Sequence, residues 1–179
     1  SACDRACTGC YAPNVLIRKS PTAAAANEAQ LMGLSISLDV FDHALLEVPS
    51  HITTVAIRGG EPSLHPQISV VVDRLAQRFN KIWIETHGRW ILDETYSRLL
   101  EVLAQRQVTV KISFDSMHGL TGGELEKIAL RLQALGIPFA IALTEIDQGA
   151  AIQQINLIPA GVREGTEAVY FQKKAKKLD

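Results

Sequence analysis

The sequence has no fourth cysteine. Its 179 residues contain three, Cys3, Cys7 and Cys10, all on the opening stretch Cys3-Asp4-Arg5-Ala6-Cys7-Thr8-Gly9-Cys10 in the spacing C-x3-C-x2-C. An odd number at such tight spacing argues against a disulfide framework stapling a core. There is also no charge of one sign to speak of. The net charge is -1, from 18 basic and 19 acidic residues, so no global basic field draws the chain to nucleic acid or to a membrane surface. The tail Lys173-Lys174-Ala175-Lys176-Lys177 is basic but reads as a solvated terminus. No apolar run reaches the roughly 20 residues that cross a bilayer. The length allows a sizeable core in one domain, residues 1–179, yet falls short of the about 250 residues of a complete eightfold barrel. Reduced thiols on a loop point to a reducing compartment, hence to the cytoplasm.

What the three cysteines can hold follows from ligand arithmetic. A closed zinc site wants four protein ligands, which one of His43, His51, His65, His87 or His118 could complete. An iron-sulfur cube wants four sulfurs. Three thiolates on one short loop would hold three irons of a 4Fe-4S cluster and leave the fourth iron open, so the missing ligand becomes the place where chemistry happens.

Downstream, strands and helices alternate. Tyr11 to Ser20 reads as the exit of the cysteine loop, with Pro13 and Pro21 as breakers. Thr22 to Glu47 is helix-compatible, with an interruption near Gly33 and Ser35. Ile52 to Ile57 is β-branched and bounded by Gly59-Gly60, so it reads as a buried strand. A helix over Gln67 to Phe79 leads to a strand over Lys81 to Thr86, and Asp93 caps a helix reaching Leu103. A strand follows over Val108 to Asp115. Gly123 to Leu135 is amphipathic and stops at Gly136, ahead of a strand over Ile137 to Thr144. A less regular helix spans Ala150 to Leu157, and a last strand lies near Val169 to Gln172. This period means βαβ units and a parallel sheet. A flavodoxin-like open sheet fits the alternation as well as a curled one.

The glycine pair lets backbone approach a ligand without an intervening Cβ, and Glu61 offers an anionic acceptor to an ammonium group. The plain alternative for Gly59-Gly60-Glu61-Pro62 is an ordinary turn. Taken together, C-x3-C-x2-C followed by Gly59-Gly60-Glu61-Pro62 after an apolar run resembles the radical S-adenosylmethionine (SAM) superfamily, over Cys3 to about Lys173.

That resemblance implies an α/β fold, a partial (β/α)6 TIM-like barrel with parallel strands, of the small single-cluster type. It also implies that Cys3, Cys7 and Cys10 bind a 4Fe-4S cluster whose open iron is chelated by S-adenosyl-L-methionine. Gly59, Gly60, Glu61 and Pro62 would meet the SAM methionine amino group. Tyr11 follows the third cysteine, where the family often has an aromatic residue just before it; here Gly9 stands in that place. Thr86, Ser113, Asp115 and Thr144, at strand carboxyl ends, are the other cofactor-binding candidates. Arg58, Glu85 and His87 are the substrate candidates, His87 and Glu85 also for proton transfer. The blander reading of such residues is that strand ends are polar because they emerge into solvent.

The implied reaction is reduction of the cluster by flavodoxin or ferredoxin, cleavage of SAM, and hydrogen abstraction from a small-molecule or peptide substrate by a 5′-deoxyadenosyl radical. The Gly9-Cys10-Tyr11 sequence is similar to that of glycyl-radical activating enzymes, so action on a partner protein is the alternative. A non-catalytic zinc- or cluster-binding module is a third. Glu85-Thr86-His87-Gly88 is similar to an E-T-N-G segment of deazaguanine synthases, with His87 as the departure. The family also places a strand just before the cluster loop, so the native chain is expected to extend upstream of Ser1 with a short apolar strand beside Ile52 to Ile57.

Overall fold

The computed structural model describes residues 2–3, 15–16, 31, 33–116, 118–145, 148–167 and 169–173. The chain folds as two compact units, Ser1–Ile84 and Glu85–Asp179.

In the first unit, β1 (Ala2–Cys3) pairs in parallel with β2 (Val15–Leu16). Leu31, Gly33 and Leu34 are helical and give way to a bend at Ser35, whose hydroxyl donates 2.6 Å back to the Leu31 carbonyl. The expected interruption of the helical stretch falls at Ser35 to Ser37, just past the still helical Gly33, while residues 22–30 and 32 lie outside the described residues. Helix α1 (Leu38–Leu46) restarts with Ser37 as N-cap, its hydroxyl accepting from the Val40 N–H.

Strand β3 (Thr54–Ile57) is followed by a 3-10 turn at Pro62–Leu64 and by α2 (Ile68–Arg78). Ile68, Val71, Val72 and Leu75 sit at i, i+3, i+4 and i+7 and form the buried stripe of α2. The chain then returns in β4 (Lys81–Thr86), parallel to β3, with Thr54 opposite Lys81 and Ile57 opposite Ile84. Charged residues of α2 fasten the flanking loops. Arg74 pairs with Asp42 of α1, and Arg78 donates to the carbonyls of Val48, Pro49 and Ile52 at 3.1, 2.8 and 3.3 Å.

The second unit opens with the last two residues of β4 and a 3-10 turn at Arg89–Leu92. Asp93 does cap, but it caps a further 3-10 turn at Glu94–Tyr96, accepting from the Thr95 N–H at 3.0 Å and the Thr95 hydroxyl at 2.7 Å. Those bonds hold the chain in a tight turn, so α3 (Ser97–Gln105) begins later than the sequence suggests. Strand β5 (Thr109–Ser113), helix α4 (Gly122–Ala134) and strand β6 (Phe139–Glu145) follow. Then come α5 (Gln148–Leu157), a short α6 (Ala160–Gly165) that the sequence does not announce, and β7 (Val169–Lys173). Strand β6 pairs in parallel with both β5 and β7.

Alternation gives the sheet of this unit two unlike faces. Val110, Ile112, Phe139, Ile141 and Leu143 are almost completely buried, as are Leu125, Ile128 and Leu132 of α4. A Cβ on Gly88 would stand 3.3 Å from Ile112 Cγ2 and 3.5 Å from Ile128 Cδ1, so this apolar face is the one that α4 covers. On the other face Lys111 and Ser113 lie opposite Ala140 and Ala142. Gly136, at φ 64°, ends α4 in the left-handed conformation, and the Ile137 N–H returns to the Leu132 carbonyl.

Ile128 has no exposed surface, whereas Leu130 on the same helix is 59% exposed. Ile128→Ala is expected to lower the unfolding free energy by about 2–5 kcal/mol in urea titration, and Leu130→Ala by less than about 0.5 kcal/mol.

Candidate functional site

Each unit gathers part of the predicted set. In the first, Cys3 is buried in β1, while Cys7, Cys10 and Tyr11 lie outside the described residues. Arg58 and Gly59 are exposed at the carboxyl end of β3. Gly59 has φ 157°, which side chains rarely adopt, and nothing among the described residues lies within 4 Å of where a Cβ would stand.

Past Gly60 the chain turns inward, and Glu61 and Pro62 are buried. Glu61 is the N-cap of the Pro62–Leu64 turn, its Oε1 accepting from the Ser63 N–H at 3.2 Å. Pro62 suits that place, because its fixed φ and missing N–H match the first position of a turn. The Ser63 hydroxyl is buried with no hydrogen-bond partner among the described residues. A buried carboxylate and an orphaned hydroxyl two residues apart make a polar spot at the end of a strand.

In the second unit the predicted residues cluster at the carboxyl ends of β4 and β5. The buried Thr86 hydroxyl accepts from the Gly88 N–H at 3.0 Å and from Trp90 Nε1 at 2.7 Å, so it builds the turn that Gly88, at φ 79°, makes possible. His87 is buried, and its Nδ1 accepts from the Arg89 N–H at 3.1 Å. Glu85 is joined to Lys111 Nζ at 2.9 Å, with side chains 20% and 11% exposed. Ser113 ends β5, and two residues on Asp115 accepts from the His118 N–H at 3.0 Å and from His118 Nδ1 at 2.7 Å through the same oxygen, Oδ1. Thr144 lies on β6 opposite Gln172 of β7.

Three participants were missed by sequence reasoning. Lys111 had a signal, a charge inside an otherwise apolar alternation. Glu124 had one too, since Thr121-x-x-Glu124 is a capping-box pattern and both of its bonds are present. Arg89 had none. Its Nε and Nη2 reach Glu124 at 2.8 and 3.2 Å, while Nη1 and Nη2 donate to the carbonyls of His118 and Gly119 at 3.3 and 2.6 Å.

The Arg89 guanidinium, helped by the Thr121 N–H, holds the Glu124 carboxyl at about 2 instead of 4.5. A lowered carboxyl stabilises the folded chain fully above about pH 4.5, and that contribution is lost as pH falls toward about 2. Glu124→Gln is therefore expected to flatten the acid limb of thermal stability in that interval, as read by circular dichroism melts across pH. The carboxylate is 35% exposed, so the amplitude is modest.

The arrangement is an α/β fold of parallel strands alternating with helices, with polar groups at strand carboxyl ends. Two crystal structures share it. One is Streptococcus suis SuiB bound to S-adenosylmethionine, 15% identical with a TM-score of 0.59 over 99% of this chain and 38% of that one. The other is SuiB bound to its precursor peptide SuiA, 16% identical with a TM-score of 0.60 over 98% of this chain and 38% of that one. The chain thus spans well under half the length of SuiB. No protein-family model and no curated protein sequence matches the chain. The likeness shows the fold, an α/β arrangement of parallel strands of the open, partial TIM-barrel kind. Among the described residues no helix is long and apolar enough to cross a membrane.

Proposed function

We propose that this chain is the core of a radical SAM enzyme in which Cys3, Cys7 and Cys10 hold a 4Fe-4S cluster and the strand ends bind SAM. The observation that carries the reading is the pair of motifs in order, C-x3-C-x2-C and then Gly59-Gly60-Glu61-Pro62 at the end of β3, on a fold that SuiB shares.

The residues present fit these groups. Three thiolates suit three irons and leave one position for an exchangeable ligand. The buried Glu61 carboxylate and the orphaned Ser63 hydroxyl suit the ammonium end of an amino acid such as the methionyl part of SAM. When bound, the reduced cluster and SAM together supply a 5′-deoxyadenosyl radical that removes a hydrogen atom from the substrate.

The chain's own residues bind, orient and exclude water. Gly59 and Gly60 let backbone come close to the ligand, Pro62 stiffens the turn beneath it, and Glu61 accepts the ammonium hydrogen bond. Tyr11, Thr86, Ser113, Asp115 and Thr144 complete the cofactor site in this reading, and Arg58, Glu85 and His87 meet the substrate. Holding the reactants in one geometry is the main thing a protein adds to such chemistry. The substrate is a small molecule or a peptide, and a peptide has the support of SuiB, solved with SuiA bound. Flavodoxin or ferredoxin supplies the electron, which suits a cytoplasmic enzyme.

After anaerobic reconstitution, iron and acid-labile sulfide should each reach about four per chain, the content of one cube, and Cys7→Ala should abolish both. Stoichiometric zinc without sulfide would replace this reading with the zinc module.

Glu61→Gln keeps an oxygen for the Ser63 N–H and removes the charge. A lost charge-assisted hydrogen bond is worth roughly 1.5–3 kcal/mol, so SAM should bind about 10- to 100-fold more weakly in calorimetry. Equal affinity would remove Glu61 from the SAM site.

A further inference from the structure

We propose that Trp83 is a SAM-binding residue, its indole Nε1–H donating a hydrogen bond to the carboxylate of the methionyl part. The proposal rests on the reading of the carboxyl end of β3 as the SAM site, and it adds a donor that neither sequence motif contains.

The observation behind it is a buried donor with nothing to receive it. Trp83 as a whole is half-buried, yet its Nε1 is buried and has no hydrogen-bond partner among the described residues. The other tryptophan is the contrast: Trp90 Nε1 donates to the Thr86 hydroxyl at 2.7 Å. A buried indole N–H ordinarily finds an acceptor, and leaving it without one is costly. Because the indole nitrogen can only donate, the group that satisfies it is an acceptor, which excludes an ammonium.

The register of β3 and β4 fixes where this donor stands. Ile82 and Ile84 are almost completely buried on one face of β4, opposite Val55 and Ile57, and alternation puts Trp83 on the other face, opposite Ala56. The Ala56 side chain has neither an acceptor nor bulk to set against the ring. Gly59 follows three residues later, roughly 10 Å of extended chain away. Trp83 therefore lies within a small ligand's length of the glycine pair, and in the same compact unit as Glu61 and Ser63.

Glu61 and Trp83 are complementary in what they take. The buried Glu61 carboxylate accepts from an ammonium, the indole N–H donates to an anion, and an α-amino acid carries both groups on one carbon. The Ser63 hydroxyl, a second buried atom of this unit without a partner among the described residues, can serve either group. An ionised acceptor makes a stronger bond than a ribose hydroxyl, which is why the carboxylate is the atom assigned. No covalent bond forms or breaks at Trp83; its contribution is to hold the ligand in one orientation.

In reconstituted protein, Trp83→Phe keeps an aromatic ring and removes the donor, so SAM should bind about tenfold more weakly in calorimetry with the iron content unchanged. Equal affinity overturns the proposal, and a melting temperature that falls while the affinity holds assigns Trp83 to packing alone. Ultraviolet resonance Raman spectroscopy reads the bond in the wild-type chain, where the difference from Trp83→Phe separates the Trp83 band from that of Trp90. The Trp83 N–H band should be that of an unbonded donor without SAM and of a bonded one with it; a band that SAM does not move overturns the proposal. 5′-Methylthioadenosine, which keeps the nucleoside and lacks the carboxylate, should leave the band in place, and an equal shift overturns the assignment to the carboxylate. If the wild-type chain binds no SAM, the enzyme reading fails and takes this proposal with it, whereas SAM bound equally by both chains sinks this proposal alone.

Discussion

The strand-end geometry of the second unit depends on the Arg89 guanidinium. It faces a carboxylate on one side and two backbone carbonyls on the other, and only a planar fork with several donors can serve both at once. The carboxylate is shared in turn: Glu124 receives Arg89 and also closes the capping box that starts α4. One residue thus links the turn after β4, the loop after β5 and the first turn of the covering helix. An ammonium at this position would reach one of these partners and leave the Gly119 carbonyl, 2.6 Å from Nη2, without its strong donor. The backbone N–H of the same residue sets His87 through Nδ1. His87 and His118 therefore take their orientation from contacts local to Arg89 and Asp115.

How much of this the sequence revealed depended on range. Strands were legible because β-branched runs bounded by glycine or aspartate have few alternatives, and Lys81 to Thr86 is observed with the expected limits. Helix α4 was legible from Leu125, Ile128 and Leu132 and from the stop at Gly136. The delay before α3 was not, because Asp93 signals a cap without saying which kind of turn it caps. Helix α6 escaped because it is only six residues long and contains Gly161 and Gly165, which read as breakers. Of the candidates that the sequence places at strand ends, Glu61, Thr86, His87 and Asp115 are all buried there. What could not be read was pairing. That Glu85 meets Lys111 and that Arg89 meets Glu124 follows from the lateral placement of strands and loops, and sequence separations of 26 and 35 carry no periodic signal.

The two faces of the β5–β6 pair differ in what they contribute to stability. On the helix-covered face, Val110, Ile112, Phe139 and Ile141 are apolar and almost wholly buried, which is where the hydrophobic contribution of the unit arises. On the opposite face stand Lys111 and Ser113, with Ala140 and Ala142 as their register partners. Alanines keep that surface low beside the charged side chain, and they bury little area themselves. The Lys111–Glu85 pair, four-fifths or more buried, contributes little net stability, since desolvation of both charges offsets their attraction. A face optimised for stability would carry branched apolar side chains in these places. The β5–β6 pair therefore divides its side chains by parity, large apolar residues on one set of alternate positions and small or polar residues on the other.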